Sequence, residues 1–193
     1  MNTLPSSAAL VALIVTLATG CSQRAPETSV PGATPQPSDA IELAKIKTER
    51  EQQERNLTNF DDLDFNVYSN QKWDQLSKSH AADIVVHWPD GRTTTGIEPH
   101  IEDLKQQFVF APDTKIKTHP IKIAQGDYTA VTGVMEGTFS KPMSTPDGKT
   151  IAPTNKPFKL EMVTIGRWEN GVMKEEWLFW DNHAFMQQIG LAK

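Results

Sequence analysis

Two different periods of apolar and polar residues organise the second part of the chain. Leu57, Phe60 and Leu63 recur at the spacing of an amphipathic helix. A second short helix around Trp73 and a third over residues 98–110 follow the same pattern. These segments predict a group of helices at the start of a folded domain.

After the first helices, the pattern changes to the alternation that is typical of β-strands. A turn signal, Gln125-Gly126-Asp127, separates two long strands as a hairpin would, and Pro120 suggests a bulge in the first of them. Helices followed by a long antiparallel meander predict an α+β fold. The predicted strands and final helix cover residues 83–88, 115–124, 128–139, 158–164, 172–181 and 183–189.

The N-terminus carries a short apolar run over residues 8–18. At about eleven residues, the run is too short to span a bilayer and has the length of a signal-peptide core. The segment that ends in Gly20-Cys21 resembles the lipobox of bacterial lipoproteins. We therefore expect a signal peptide over 1–20 and a lipidated Cys21 that holds the protein in the cell envelope, on its periplasmic face. The alternative is a secreted protein with a free thiol.

Between this leader and the domain, two segments differ in composition. Residues 21–38 are rich in Pro, Ser and Thr and predict a disordered tether, because such a segment buries too little apolar area to repay its ordering entropy. Residues 39–55 are dense in charge and predict a solvated helix or stalk that begins with Asp39 as its N-cap. The folded domain is expected over residues 56–193.

Composition excludes several kinds of site. Acidic residues outnumber basic ones, 24 to 19, which argues against nucleic acid as a partner. Cys21 is the single cysteine, so neither an internal disulfide nor a thiolate zinc site is expected. No two of the five histidines lie four residues apart on a predicted helix, and we predict no metal site.

Several short motifs occur between residues 68 and 190. Together they resemble the SnoaL-like polyketide cyclases and the related bacterial ester cyclases of the nuclear transport factor 2-like superfamily. The resemblance covers about 140 residues and implies a cone-shaped, curved antiparallel sheet packed on N-terminal helices, an α+β barrel with a pocket inside. The motifs are YSNQKW (68–73), VHWP (86–89), TGIE (95–98), GVMEGTF (133–139), PTNK (153–156), RWENG (167–171), EEW (175–177) and QIG (188–190).

The resemblance also implies an activity. Polyketide cyclases of this family catalyse an intramolecular aldol condensation without a cofactor, and their acid/base is an Asp at the end of the last strand, which Asp181 matches. Strand alternation places Glu175, Trp177 and Phe179 on the face of Asp181. We expect that face to be concave, so that the aromatic walls desolvate the carboxylate and make it a useful base. Where the family often has His before this Trp, the chain has Glu176.

Three further residues are candidates for the same pocket. His87 could donate a hydrogen bond to an enolate oxygen, and Tyr128 and Trp73 could form walls. The sequence leaves three hypotheses open. The domain is a cyclase-like lyase or isomerase acting on a small hydrophobic carbonyl compound, or a periplasmic binder of an apolar ligand without chemistry, or an assembly module that forms a homodimer or caps a partner. Membrane contact is expected through the lipid anchor alone.

Overall fold

The structure is a computed structural model that describes residues 36–145 and 147–193. The predicted signal peptide, Cys21 and most of the predicted tether lie outside the described residues. Within the described part, no helix combines the length and the apolar composition that crossing a bilayer requires.

The first helix, α1, covers Pro37–Asp62. The predicted N-cap, Asp39, is wrong by three residues: the helix is capped by Gln36, whose backbone N–H donates to the Asp39 carboxylate at 3.1 Å. The carboxylate can make this bond because it stands in the first helical turn. The helix runs through the predicted boundary between residues 55 and 56, so the charged segment and the start of the domain form one helix. Only its second half buries side chains, notably Asn56 and Phe60.

A π-helical turn, Leu63–Tyr68, continues α1. The backbone N–H of Ser69 donates to the Asp64 carbonyl, five residues back, at 3.2 Å. This wider turn buries Leu63, Asp64, Val67 and Tyr68, and such π-turns are frequent at functional sites. A 3₁₀ helix, Trp73–Lys78, then leads into the sheet, where the sequence predicted a short helix.

Within residues 36–145 and 147–193, nine strands and two further helices complete the fold. The hairpin predicted at residues 125–127 is confirmed, with Gln125 opposite Tyr128. The elements are β1 His80–His87, β2 Thr93–Thr95, α2 Ile97–Phe110, β3 Lys115–Ile116, β4 Lys122–Gln125, β5 Tyr128–Thr138, β6 Met143–Ser144, β7 Thr150–Ile151, β8 Pro157–Glu169, β9 Val172–Trp180 and α3 Asn182–Gln188.

The main sheet has the order β2-β1-β9-β8-β5-β3, and β4 also pairs with β5. The α+β prediction is confirmed. The expectation of a wholly antiparallel sheet is wrong at one place, because β1 and β9 run parallel, with Val86 opposite Glu176. The sequence pattern of a strand predicts hairpins with its neighbours along the chain. It does not predict pairing between strands that are as far apart in the sequence as β1 and β9. The sheet also stays open, with β2 at one edge and β3 and β4 at the other, and is not a closed barrel.

The segment around Pro120 separates β3 from β4, where one bulged strand was predicted. Around Pro120, which has no N–H to donate, the regular pairing with β5 gives way to single backbone bonds. Val134 donates to the Thr118 carbonyl at 3.3 Å, and Thr132 donates to the Ile121 carbonyl at 2.9 Å.

The helices pack on the inner face of the sheet and enclose two apolar clusters. One cluster is centred on Phe60, Ile84 and Met173, and the other on Phe108, Phe139 and Phe158. Leu104, Met162 and Trp180 border both clusters. An internal cavity opens along this border.

Candidate active site

The cavity has a volume of about 280 Å³ and lies between the π-helical turn, α2 and the inner face of the sheet. Most of its wall is apolar, which is typical of sites for small organic molecules. The apolar lining residues are Leu63, Trp88, Leu104, Phe110, Ile116, Met135, Met143, Leu160, Met162, Leu178, Trp180 and Phe185.

Among the described residues, five buried ionisable side chains interrupt this apolar wall. Asp64 and Tyr68 come from the π-helical turn, and His80 stands at the start of β1. His100 lies on α2, and Glu176 faces inward from β9. All five are less than a tenth exposed. Buried ionisable groups around one apolar cavity are a common feature of active sites.

Three of these groups form a compact cluster. Nε2 of His80 lies 3.7 Å from Oε2 of Glu176, and Nε2 of His100 lies 3.5 Å from the same oxygen. Nδ1 of His80 is within 2.9 Å of the Ser79 hydroxyl. Among the described residues, His80 Nε2, His100 Nδ1 and Glu176 Oε2 have no hydrogen-bond partner. Buried polar atoms without partners are rare and call for a physical explanation.

Burial sets the charges of this cluster. It lowers the pKa of His100 to about 4, because an imidazolium loses its hydration inside the domain. Burial by itself would raise the pKa of the Glu176 carboxyl, but the neighbouring imidazoles of His80 and His100 hold it below its usual value. Glu176 is therefore the anionic member of the cluster near neutral pH.

A second group connects the cavity wall with the protein surface. Oδ2 of Asp64 lies 2.9 Å from Nε2 of His119, and Nδ1 of His119 lies 2.7 Å from Oδ1 of Asp61. Asp61 also accepts a hydrogen bond of 2.6 Å from Lys122. The His119 side chain is buried between its two carboxylates.

Burial and pairing oppose each other in this group. Desolvation raises the pKa of Asp64, although its hydrogen bond to His119 acts to lower it. Desolvation acts to lower the pKa of His119, but Asp64 and Asp61 together raise it above its usual value. For Asp61, the bonds from Lys122 and His119 outweigh partial burial and lower the pKa.

Tyr68 adds a hydroxyl to the cavity. Its oxygen lies 3.6 Å from the sulfur of Met135, which is a weak acceptor. Burial raises the pKa of Tyr68, so the phenol keeps its proton. This O–H is therefore available to donate to a ligand oxygen.

The sequence-predicted site on β9 lies on the other face of the strand. Glu175, Trp177 and Phe179 do share one face with one another, but that face is outside, and Phe179 is 50% exposed. The expectation that it is concave is wrong. Glu176, Leu178 and Trp180 line the cavity instead. Both sets contain a glutamate and an aromatic residue, so alternation could not tell the faces apart.

Asp181 lies just beyond β9 and is exposed. It is the N-cap of α3, and its side chain accepts a hydrogen bond of 2.9 Å from the backbone N–H of Ala184. It does not border the cavity. A role for Asp181 in catalysis stays a prediction that this geometry does not support.

The structure brings His87 and Tyr128 together with Glu175 and Trp177 on the outer face, and places Trp73 elsewhere. Nε2 of His87 lies 3.0 Å from Oε1 of Glu175. The His87 ring stacks on the Trp177 ring, with 5.2 Å between the ring centroids and 7° between the ring planes. Tyr128, also exposed, stands 6.5 Å from the Trp177 ring. Trp73 is half-buried and packs against Tyr68 and Phe108, without lining the cavity.

Sequence reasoning did not single out four of the five buried ionisable residues of the cavity, namely Asp64, Tyr68, His80 and His100. Glu176 alone left a signal, because it replaces the family's His before Trp177. Asp64, His80 and His100 lie in none of the motifs that carry the resemblance. Tyr68 begins the YSNQKW motif, but that motif gives no sign that its hydroxyl faces a cavity. Only packing brings the four residues together.

Comparison with known proteins agrees with the fold. The sequence matches the model of the SnoaL-like polyketide cyclases over residues 50–189. The chain belongs to this family. The predicted family is thus confirmed, whereas a search of curated proteins returned no match.

Three solved structures illustrate the likeness of this SnoaL-like chain to known folds. IdmH, a proposed polyketide cyclase from Streptomyces antibioticus, is 23% identical with a TM-score of 0.60, covering 70% of this chain and 98% of IdmH. A proposed SnoaL-like polyketide cyclase from Jannaschia is 18% identical with a TM-score of 0.62, covering 72% of this chain and 94% of that protein. A protein with a ketosteroid isomerase-like fold from Catenulispora acidiphila, in complex with trimethylamine, is 18% identical with a TM-score of 0.53. The match covers 65% of this chain and 87% of that protein. At these identities, the likeness shows the fold alone.

Proposed function

We propose that this SnoaL-like domain is an enzyme that binds a small hydrophobic carbonyl compound in its cavity and closes a ring by an aldol-type reaction. One observation carries the proposal: Asp64 and Tyr68 face an apolar cavity from the same π-helical turn. Family membership supports the reaction class. Fold alone would not, because folds of this kind serve many functions.

In the proposed reaction, Asp64 takes a proton from the carbon next to a carbonyl. The electron pair of the broken C–H bond forms an enolate, whose oxygen accepts a hydrogen bond from Tyr68. The enolate carbon then attacks a second carbonyl carbon of the same molecule and forms the new C–C bond. The oxygen of that second carbonyl becomes an alkoxide and takes the proton back from Asp64. Atoms and charge therefore balance without a further reactant.

The environment of Asp64 suits this role. Desolvation raises the pKa of Asp64 towards neutral pH, and a general base works best when its pKa is near the pH of the reaction. His119 holds one carboxylate oxygen, and Asp61 orients His119 from the other side. We assign His119 as a positioning residue, because it acts on the substrate through Asp64.

Deuterium exchange tests the proton transfer without knowledge of the natural substrate. The full-length protein is incubated in heavy water with a panel of small hydrophobic ketones and 1,3-diketones, and NMR follows loss of the α-protons. We expect exchange well above that of a buffer of equal carboxylate concentration for at least one compound. Asp64→Asn should reduce the rate by about a hundredfold or more. Tyr68→Phe should reduce it by about a hundredfold as well.

The chain offers a matched control for each variant. Asp181→Asn changes the exposed aspartate at the end of β9, and Tyr128→Phe changes the other tyrosine, which is 48% exposed. Both should keep exchange within a few-fold of the wild type. Exchange that disappears in Asp181→Asn and persists in Asp64→Asn would refute our assignment. Ligand binding without exchange in the wild type would favour a non-catalytic binder.

A second candidate function, self-association, has support on the outer face of the sheet. Ile121, Ile123, Tyr128 and Phe179 expose about half of their surface or more. Ile121 and Phe179 border one shallow groove there. Exposed apolar patches often mark interfaces. We therefore infer a homodimer through this face.

Sedimentation of the wild type and of Phe179→Glu tests the homodimer. We expect a dimer that dissociates in the variant. Val109→Glu places the same charge at an exposed apolar residue on α2 and should leave the dimer intact. A monomeric wild type would remove this candidate.

We also propose that the protein is anchored to the cell envelope through a lipid on Cys21, facing the periplasm. The apolar run over residues 8–18 and the Gly20-Cys21 junction support this location. A fatty-acid probe should label the wild type in cells but not Cys21→Ala. An unlabelled wild type would leave secretion as the alternative.

A further inference from the structure

We propose that His80, His100 and Glu176 form a binding site for one divalent transition-metal ion, with zinc as the ion that fits this donor set. The three side chains come from β1, α2 and β9, and none of them lies next to another in the sequence. The proposal does not depend on proton transfer by Asp64 or Tyr68. It changes the sequence-based expectation of a site without metal or cofactor.

The donor atoms already stand close to a ligand geometry. One potential donor atom from each residue lies within 4.8 Å of the other two. A tetrahedral zinc site with bonds of about 2.0–2.1 Å needs donors about 3.3 Å apart. The Glu176 oxygen is 3.7 Å from His80 and 3.5 Å from His100. These two distances exceed the ideal value by only a few tenths of an ångström, and the donor nitrogens of the two imidazoles lie within 4.8 Å of each other.

The hydrogen bonds around Ser79 determine which nitrogen His80 presents. The Ser79 hydroxyl is placed to donate to the Leu76 carbonyl at 3.1 Å, which uses its single proton. When the hydroxyl donates there, its oxygen is free to accept from an N–H at Nδ1 of His80, 2.9 Å away. In this tautomer, Nε2 of His80 carries a lone pair towards the carboxylate of Glu176.

In the tautomer that can bind a metal, two acceptors face each other inside the domain, and a cation between them would pair with both. The Nε2 lone pair of His80 and Oε2 of Glu176 are buried, and neither has a hydrogen-bond partner among the described residues. Leaving them unpaired costs free energy. A metal ion between them would satisfy both atoms, and it would also use one nitrogen of His100.

Two histidines and one carboxylate form a donor set that catalytic zinc sites use. Such a set leaves the fourth position open, and here all three residues border the cavity. The bond from Ser79 to His80 corresponds to the outer-shell contact that usually orients a ligating histidine. A metal ion at this place could polarise an oxygen of a ligand in the cavity.

A comparable pair on the outer face does not meet these conditions. His87 and Glu175 are already hydrogen bonded to each other, and Glu175 also accepts from Arg167 at 3.3 Å. Both are partly exposed. Among residues 36–145 and 147–193, only the inner cluster brings three potential ligands of this kind together. The outer pair is therefore a matched control on the same two strands.

Metal binding can be measured directly on the full-length protein. After treatment with a chelator, the protein is titrated with Zn²⁺ in competition with a chromophoric chelator, and in parallel with Co²⁺, whose visible spectrum reports tetrahedral coordination. We expect one equivalent of tightly bound metal and a melting temperature that rises on addition of Zn²⁺. Glu176→Gln and His100→Asn should weaken binding by more than about a hundredfold, since loss of an outer-shell contact alone costs 10- to 100-fold. Glu175→Gln and His87→Asn should bind as the wild type does.

A variant that keeps all three ligands guards against loss of the fold. Ser79→Ala should weaken Zn²⁺ binding by about tenfold or more without removing a ligand. The proposal is overturned if the wild type binds no equivalent of Zn²⁺, or if binding falls in His87→Asn and persists in Glu176→Gln. Deuterium exchange without Zn²⁺ binding would remove the metal site and leave the proposed reaction. Zn²⁺ binding without deuterium exchange would keep the metal site and remove the proposed reaction.

Discussion

Two histidine–glutamate pairs connect the same two strands, β1 and β9, on opposite faces of the sheet. On the inner face, the side chains of His80 and Glu176 are 1% and 6% exposed and stand 3.7 Å apart. On the outer face, the side chains of His87 and Glu175 are 35% and 27% exposed and form a contact of 3.0 Å. Both pairs consist of one histidine and one glutamate, and the two glutamates are adjacent in the sequence. The pairs therefore differ in their environment and not in the chemistry of their side chains.

The difference shows how burial turns an ordinary pair into a candidate site. The outer pair can reach water and is also bonded by Arg167. The inner pair is almost completely buried and lacks a full set of partners among the described residues. Electrostatic interactions are stronger in the less polar interior, and unmet bonding capacity there costs more. The inner pair therefore has the larger capacity to bind an ion or a ligand.

A charge reversal at the two adjacent glutamates should break the comparison most clearly. Glu176→Lys would place an ammonium without a counter-ion next to two histidines in the interior. We expect a loss of about 3–5 kcal/mol in the free energy of unfolding, as for other broken buried pairs. Glu175→Lys, on the outer face, should cost about 1 kcal/mol or less. Urea denaturation of both variants measures the difference, and equal losses would contradict the assignment of the two faces.

Leu178 and Phe179, further along β9, test the same alternation with apolar side chains. Leu178 is buried against the cavity, whereas Phe179 is exposed. Leu178→Ala should cost about 2–5 kcal/mol, because it removes buried methyl groups and enlarges the cavity. Phe179→Ala should change the stability of the monomer by about 0.5 kcal/mol. Denaturation at low protein concentration keeps any self-association out of the measurement. A larger loss at Phe179 would mean that the strand faces the other way.

A third histidine sharpens the comparison, because His119 is buried but bonded on both ring nitrogens. Its pKa is raised in the folded state, so the stability it contributes is complete below about pH 6.5, the usual value. That contribution is lost as the pH rises through the higher folded pKa. We expect His119→Gln to cost about 1.5–3 kcal/mol near pH 6, as charged hydrogen bonds do, and clearly less near pH 9. Urea denaturation at several pH values measures this loss in the free energy of unfolding. A loss that stays constant between about pH 6 and about pH 9 would contradict the role of the charged His119.

The smallest effect is expected for the outer pair itself. The hydrogen bond from His87, helped by Arg167, lowers the pKa of Glu175 below its usual 4.5. The stability contributed by Glu175 is therefore present above that value and is lost as the pH falls through the lower folded pKa. Glu175→Gln should cost less than about 1 kcal/mol near pH 5.5 and nothing measurable near pH 3. Thermal melts at the two pH values would show the change, and a cost that grows at the lower pH would contradict it.

Much of the fold could be predicted from local patterns. Helical spacing at Leu57 and Phe60, the turn at residues 125–127 and the alternation along β8 and β9 each depend on neighbours in the sequence. Short motifs such as YSNQKW (68–73) and GVMEGTF (133–139) carried the resemblance to the family, which the match over residues 50–189 confirms. The parallel pairing of β1 with β9 left no local signal, because it joins strands from opposite ends of the domain.

The candidate site depended on information of another kind. Alternation along β9 separates Glu175 from Glu176 but does not say which of them faces the helices. That choice follows from the pairing with β1 and from the packing of α2, which also delivers His100. Asp64 looks like any helical aspartate in the sequence, and only the π-helical turn and His119 make it part of the cavity wall.

The sequence by itself thus determined the elements, the α+β class and the family, since these follow from periodicity and from motifs whose residues are close along the chain. The tertiary structure alone decided which face of each strand is buried and which distant residues meet. The physical reason is that burial and bonding of a side chain such as Glu176 depend on its neighbours in space. Those neighbours, His80 and His100, come from other elements of the fold.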